Sequence, residues 1–244
     1  MITIGGGRVR MAYTDRHGGV SAAPYGSRNL GGHVGDSAEA VAQNRARTEA
    51  ELGIGPGLLV FPHQVHGTDI AYVTGPFPGE PPAADGVVTD RPGIALGVLG
   101  ADCAGVLVAD PVNGVIGAAH SGRPGTLDGV VTALAGEMAR LGADLPRATA
   151  VIGPTACGRC YEVPAEMREQ GARVLPETWS TTSWGTPALD LRAGIAARLA
   201  AAGITDIRHD DRCTIESPEL YSHRRERKTG RFAGIVWMPG TPGS

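Results

Sequence analysis

The sequence predicts an α+β protein with mixed β-sheets and flanking helices, and three observations carry that reading. Short apolar, β-branched runs crowd residues 58–119 instead of alternating with helices as a doubly wound fold requires. Segments with apolar residues at helical spacing stand mostly apart from that region, at 36–52, 126–141, 165–175 and 191–202. The 37 glycines and 18 prolines are dispersed, which suits many tight turns between short elements rather than a disordered tail.

Along the chain, the helix at 36–52 has Asp36 as its expected N-cap, Glu39 three residues on as the second half of a capping box, and Gly53 as its stop. Short strands follow from Leu58. Asp110, Pro111, Val112, Asn113 and Gly114 read as a turn joining strands 105–109 and 115–119 in a hairpin. Pairing Ala109 with Val115 brings Cys103 within about one residue of His120 at the open end. A glycine-rich turn then leads into the helix 126–141, with Leu127, Val130, Val131, Leu134, Met138 and Leu141 on one face. Further strands are expected at 148–152, 204–208 and 232–238. Further helices are expected at 165–175 and at 191–202, the latter opened by Asp190 and stopped by Gly203. No internal repeat or low-complexity linker divides the 244 residues, and one domain over 1–244 is expected.

Bulk properties narrow the function classes. Hydrophobic content of 42%, charged content of 19% and a net charge of -3 describe an ordinary soluble protein without the broad basic surface that nucleic acid demands. With no apolar signal region at the N-terminus and no run of about 18 apolar residues, neither secretion nor membrane spanning is expected. The reading is cytoplasmic. Four cysteines in a chain of this size are core residues, ligands or a nucleophile rather than a disulfide scaffold.

Chemistry concentrates at the hairpin. Cys103 facing His120 offers a soft nucleophile or metal ligand beside an imidazole, and the following helix N-terminus is a natural anion site. His63 and His66 point to opposite faces of an extended chain, so only one can join them. His66, before Gly67 at an expected strand end, is the better candidate. Two histidines and one cysteine make a three-ligand set for zinc or copper with a fourth position open. Cys157 and Cys160 form a C-x2-C pair, but no second such pair or H-x3-H follows and Cys213 is the only other thiol. Buried free thiols are therefore expected there. The basic run from Tyr221 to Arg231 includes Arg224 and Arg225, whose guanidinium forks suit a phosphate or another anion, and Arg45 on the first helix is similar.

These residues sit in motifs that resemble the laccase-domain family, also called multicopper polyphenol oxidase domain proteins, purine nucleoside phosphorylases and peptidoglycan editing factors. The motifs are Gly18-Gly19-Val20-Ser21, Asn29-Leu30-Gly31, Val34-Gly35-Asp36, Asn44-Arg45, Gln64-Val65-His66-Gly67, Ala84-Asp85-Gly86 and Ala101-Asp102-Cys103. They continue with His120-Ser121-Gly122, Ile152-Gly153-Pro154, Tyr161-Glu162-Val163, Cys213-Thr214, Ser222-His223-Arg224-Arg225 and Thr229-Gly230-Arg231. The resemblance covers nearly the whole chain. It implies an α/β/β/α-type sandwich like that of certain cysteine hydrolases, with His66, Cys103 and His120 as both metal ligands and catalytic residues. Asn29, Arg45, Gln64, Arg123, Arg224 and Arg225 are its implied substrate-binding candidates. Two positions depart from the family: Arg123 stands where Trp is usual, and Pro124 where Arg is usual.

A true multicopper oxidase needs roughly ten imidazoles by ligand preference, and this chain has seven scattered histidines. Phosphorolysis of a purine nucleoside, implied by the resemblance, suits the parts better, with zinc (or copper) and phosphate in one site and adenosine deamination as a companion activity. The partners expected are a nucleoside and phosphate, without nucleic acid or membrane, and the sequence assigns no oligomeric state. An amidase of peptidoglycan precursors, using Cys103 as a thiolate and His120 as its base, is the alternative enzyme. A metal-dependent interaction module is the non-enzymatic one.

Overall fold

Alternation of side chains along the central strands decides how this protein is layered. In the computed structural model, which describes residues 2–4 and 7–240, the chain opens with β1 (Ile2–Ile4), β2 (Arg10–Tyr13) and helix α1 (Ala38–Leu52). Six strands follow: β3 (Leu59–Val60), β4 (Ile70–Tyr72), β5 (Gly86–Thr89), β6 (Ala95–Gly100), β7 (Ala104–Asp110) and β8 (Val115–Ser121). Then come α2 (Arg123–Asp128), α3 (Val130–Arg140), β9 (Thr149–Ile152), α4 (Ala165–Val174), β10 (Trp179–Thr181) and β11 (Pro187–Leu189). The last elements are α5 (Leu191–Ala201), β12 (Asp206–His209), α6 (His223–Glu226) and β13 (Phe232–Trp237).

A six-stranded mixed sheet has the order β12-β9-β7-β8-β5-β4, a five-stranded one the order β1-β2-β13-β6-β3, and β10 pairs with β11 alone. Along β7, Leu107 and Ala109 face Met11, Tyr13, Leu96, Val98 and Val236 of the other sheet. Their neighbours Val106 and Val108 face Val131 and Leu134 of α3 and Ile195 and Leu199 of α5. Outside the five-stranded sheet, Ala95, Leu99, Ile235 and Trp237 pack on Leu52 and Ile54 at the end of α1. Strands covered on both faces read as continuous apolar runs, and the result is the expected sandwich of two sheets between helices. Tyr13 crosses between the sheets, its fully buried hydroxyl 3.0 Å from Gly105 O and 2.9 Å from Val151 O.

Several elements differ from the sequence expectation, each for a visible reason. The hairpin register is Ala109↔Ile116, not Ala109 with Val115, and β7 continues through Asp110. Asp110 is the cause: its carboxylate accepts from Val112 N, Asn113 N, Asn113 Nδ2 and Asp144 N, so the turn closes on 111–114. The helix expected at 126–141 is two helices beginning earlier, at Arg123, because Gly129 (φ 96°) ends one and starts the other. Arg198 takes the carbonyls of Thr126 and Leu127 left free by that break. The N-cap of α1 is Ser37, which accepts from Ala40 N, while Asp36 accepts from Ser21 Oγ and Asn29 Nδ2 instead. Gly53 (φ 67°) and Asp190 cap α1 and α5 as expected. No helix among the described residues is long and apolar enough to cross a membrane.

Candidate metal and active site

His120 lies on β8, paired with Gly105 in the centre of the six-stranded sheet, and its ring is almost fully buried. Its Nδ1 is 2.8 Å from Asp85 Oδ1. A carboxylate can only accept here, so the ring proton sits on Nδ1 and Nε2 is free to ligate. The other oxygen, Asp85 Oδ2, accepts from Val65 N (3.0 Å) and Gly67 N (2.6 Å). Those two amides flank His66, which is held in the left-handed region (φ 64°) in a bend rather than at a strand end. One buried carboxylate therefore orients both imidazoles, whose ring centroids are 4.8 Å apart in an edge-on arrangement.

Cys103 is not opposite His120 in the ladder, since β7 begins at Ala104 and His120 pairs with Gly105. It reaches the site through Asp102, a non-glycine residue at φ 103°. That conformation is costly and is fixed from four sides. Thr214 Oγ1 and Arg224 N bond its carboxylate at 2.6 and 2.7 Å, while Thr155 Oγ1 and Ala156 N bond its carbonyl at 2.6 and 3.0 Å. Cys103 Sγ then lies 3.9 Å from His66 Nε2, and the ligand atoms of His66, Cys103 and His120 all fall within 4.8 Å of one another. Gly122 leaves the space for this approach: a Cβ there would sit 2.9 Å from both Cys103 Sγ and His66 Cδ2.

The electrostatics suit a charged set. Burial pushes the Cys103 thiol up, but His120 and His66 outweigh it and bring it down to about 6. Burial pushes His120 down, and the Cys103 thiolate and Asp85 outweigh it, raising the imidazole to about 9. Burial likewise raises Asp85, yet hydrogen bonds from His120 and Gly67 N hold its carboxyl below the ordinary range. Two imidazole nitrogens and one thiolate converging with a side open to a cavity are a donor set that fits a catalytic metal with one exchangeable position.

That cavity, about 280 Å³, is lined by His66, Cys103 and His120 together with His33, Gln64, Leu99, His223 and Arg231. A second cavity of about 330 Å³, shared at His33, Gln64 and Leu99, contains Arg45, Phe61 and His63. His63 and His66 thus do face different cavities.

The remaining candidates divide. Gln64 pairs with Leu99 through its amide, Oε1 accepting from Leu99 N and Nε2 donating to Leu99 O, on the wall between the two cavities. Arg45 donates to Leu30 O, stacks on Phe61 at 4.6 Å and faces the second cavity. Arg123 opens α2 with no hydrogen bond to another described residue, near Tyr161 and Arg224. Arg224 lies over the Tyr161 ring and donates to Glu162 O. Asn29 and Arg225 are fully engaged elsewhere. The Asn29 amide accepts from Gly31 N and Arg231 N and donates to Gly31 O and Asp36, leaving nothing for a substrate. Arg225 donates to the carbonyls of Thr214, Ile215, Ser217 and Leu220 and to Glu226.

Sequence reasoning passes over Asp85, Asp102 and Arg231, although each stands in a motif it quotes. Asn29 fixes the Arg231 backbone, and Gly31 clears room for the Arg231 stem, where a Cβ would be 2.8 Å from Cγ. The motifs at 29–31 and 229–231 therefore meet to place a guanidinium in the cavity. Elsewhere, Cys157, Cys160 and Cys213 form no disulfide, and Cys157 is only half-buried where buried thiols were expected; the three are gathered with Glu216 into a second group whose candidate donor atoms lie within 4.8 Å of one another.

A two-sheet sandwich carrying a His/Cys/His pocket on its central hairpin defines the class, and comparison with known proteins agrees. Residues 10–239 match the family described as multi-copper polyphenol oxidoreductase laccase, and the chain belongs to that family. It is 56% identical over 234 residues to purine nucleoside phosphorylase ORF3 of Streptomyces griseus, covering 95% of each chain. A purine nucleoside phosphorylase of Streptomyces coelicolor is 52% identical, over 93% of this chain and 94% of the relative. The crystal structure of YlmD from Geobacillus stearothermophilus superposes with a TM-score of 0.88 at 33% identity, covering 96% of this chain and 93% of that one.

Proposed function

We propose that this chain is a metal-dependent purine nucleoside phosphorylase, one domain over 1–244, that converts adenosine, inosine or methylthioadenosine and phosphate to free base and a ribose 1-phosphate. The observation that carries the reading is the convergence of His66, Cys103 and His120 on a cavity that also receives Arg231. The names of the relatives at 56% and 52% identity support it. Zinc suits the two-nitrogen, one-sulfur set, and copper would also bind it. When bound, the metal supplies Lewis-acid polarisation of a substrate oxygen or an activated water.

The chain's own residues do the rest. Arg231, half-buried with Nη1 on Thr229 O and Gly230 O, presents the rest of its fork to phosphate. A phosphate oxygen attacks the ribose anomeric carbon, the glycosidic carbon–nitrogen bond breaks, and its electron pair leaves with the purine. His223 at the cavity wall gives the departing base its proton. Arg45 and Phe61 in the adjoining cavity receive the part of the substrate that the metal pocket does not hold. This reading puts the phosphate on Arg231 rather than on the helix N-terminus after the hairpin, because α2 is only a turn and a half long and Arg231 lines the cavity. The cytoplasm is the compartment this reading assigns, and four cysteines without a disulfide support it.

The test is release of base and ribose 1-phosphate by metal-replete protein in phosphate buffer. Cys103→Ala should lose activity. Arg231→Ala should raise KM for phosphate roughly tenfold or more, with less change in KM for the nucleoside. Release from none of the three nucleosides, or equal rates in wild type and Cys103→Ala, would falsify the reading. Inosine formed from adenosine without phosphate would report the companion deamination. One observation favours the amidase as the second reading: Cys103, His120 and Asp85 also form a thiolate, imidazolium and carboxylate relay. Metal-stripped protein should therefore be alkylated at Cys103 at neutral pH. Protection by stoichiometric zinc would argue for metal over covalent catalysis.

A further inference from the structure

We propose that Cys157, Cys160, Cys213 and Glu216 form a second, structural zinc site that clamps the loop carrying Cys103. The spacing is C-x2-C followed by C-x2-E, so the fourth ligand is a carboxylate where a search for paired cysteines finds none. Two chain segments bring the halves together. The loop after β9 runs beside the 213–217 turn, with a parallel bridge between Thr155 and Cys213 and a bond from Thr214 N to Thr155 O of 3.2 Å.

Each half is a tight turn of the kind that points two donors one way. Cys160 N and Tyr161 N both bond Cys157 O at 2.9 Å, and Ser217 N bonds Cys213 O at 2.9 Å. Arg225 holds the second turn from outside through the carbonyls of Thr214, Ile215 and Ser217. The Cys213 sulfur accepts from Cys157 N at 3.4 Å, and the N–H groups of Ile215 and Glu216 are also directed at it. Such donors offset part of the burial that pushes the Cys213 thiol up.

The distances suit a tetrahedral ion. Ligands at the ~2.3 Å typical of zinc–sulfur bonds stand about 3.8 Å from one another. Here Cys157 Sγ is 4.0 Å from Glu216 Oε2, and all four donor atoms lie within 4.8 Å of one another. Cys160 and Cys213 are buried, Cys157 is half-buried and Glu216 closes the outer side. Arg159 Nη2, 3.9 Å from Glu216 Oε2, offsets the surplus negative charge of three thiolates and a carboxylate on a dication. Four protein ligands leave no open position, the mark of a structural rather than catalytic ion. Each thiol that binds releases its proton to solvent.

The site's place in the fold gives it a task. Thr155 and Ala156, just before Cys157, and Thr214, just after Cys213, supply three of the four bonds that hold Asp102 at φ 103°. An ion joining the two turns locks those donors and so fixes the loop that presents Cys103.

The experiment uses the chain of residues 1–244, purified under reductant, equilibrated with Zn²⁺ and desalted, with metal content read by mass spectrometry. Wild type should hold two equivalents and Cys103→Ala one. That remaining ion should shield Cys157, Cys160 and Cys213 from a thiol reagent and give a thiolate-to-metal charge-transfer band when Co²⁺ replaces Zn²⁺. Adding Glu216→Ala, at an exposed position that the fold tolerates, should weaken the remaining ion roughly tenfold or more. A Cys103→Ala protein that holds no zinc, or whose three remaining thiols react freely after zinc treatment or form a disulfide, overturns the proposal. Because these readouts are taken with the first site removed, their outcome is independent of whether the enzyme is a phosphorylase.

Discussion

Asp85 shows how much of this site rests on single side chains. Replacing it by Asn keeps the volume but puts an amide N–H where one of three donors must be accepted: His120 Nδ1, Val65 N or Gly67 N. Asp85→Asn should weaken metal binding roughly 10–100-fold, the usual effect of losing a partner behind a ligand, as read by competition with a chromogenic chelator. Gly122→Ala should do at least as much, since its Cβ would meet both Cys103 and His66 at 2.9 Å. The convergence of His66, Cys103 and His120 was legible in the sequence because hairpin counting tolerates an error of one residue when side chains are several ångströms long. Asn29 and Arg225 were not, because a motif gives residue type and position while satisfaction of an amide or guanidinium depends on carbonyls distant in sequence. Arg231 was not singled out within its basic run for the converse reason, as its orientation is set by Asn29 and Gly31, about 200 residues away in the chain.

The β7–β8 hairpin is organised by Asp110, whose buried carboxylate accepts four hydrogen bonds from 112, 113 and 144. Burial acts to raise its pKa, but the bonds from Asp144 N, the Asn113 side chain and the turn amides prevail and lower it. The folded-state pKa is thus below the unfolded one, so the stabilisation is fully present above about pH 4 and fades as pH falls through the folded value. Asp110→Asn should therefore cost on the order of 2–3 kcal/mol at neutral pH. The gap to wild type should narrow in acid, as measured by urea unfolding across pH. A gap independent of pH would mean that packing, not charge, sets this turn. Helix existence was readable from periodicity for α1, α4 and α5, whereas the break at Gly129 was not. An isolated glycine is tolerated inside helices, and here it is the Arg198 guanidinium on Thr126 O and Leu127 O that makes two helices the better solution.

At the scale of the whole molecule, Tyr13 ties the two sheets together, and two glycines, Gly153 and Gly234, make room for it. A Cβ on Gly153 would lie 2.2 Å from Tyr13 Cε1, and one on Gly234 would lie 2.8 Å away, with Gly105 at 3.7 Å. Gly153→Ala should destabilise by about 1–3 kcal/mol through overpacking, and Tyr13→Phe by about 1 kcal/mol through the lost hydroxyl, both read as a lowered Tm. The Tyr13→Phe change should leave the spacing of the sheets, and so the metal pocket, intact. The layered architecture was implied by the family resemblance, whereas the clustering of strands by itself pointed only to mixed sheets with flanking helices. Which sheet each strand joins depended on long-range pairings such as β13 between β2 and β6. The double grip of Asp85 has one further consequence. It ties His120 to the backbone turn that carries His66, while Cys103 hangs separately from Asp102. On the proposed metal reading, an ion of larger radius should be met first by movement of the Cys103 arm, so substitutions at 101 and 102 should change the preference among thiophilic metals, as read by competitive metal binding.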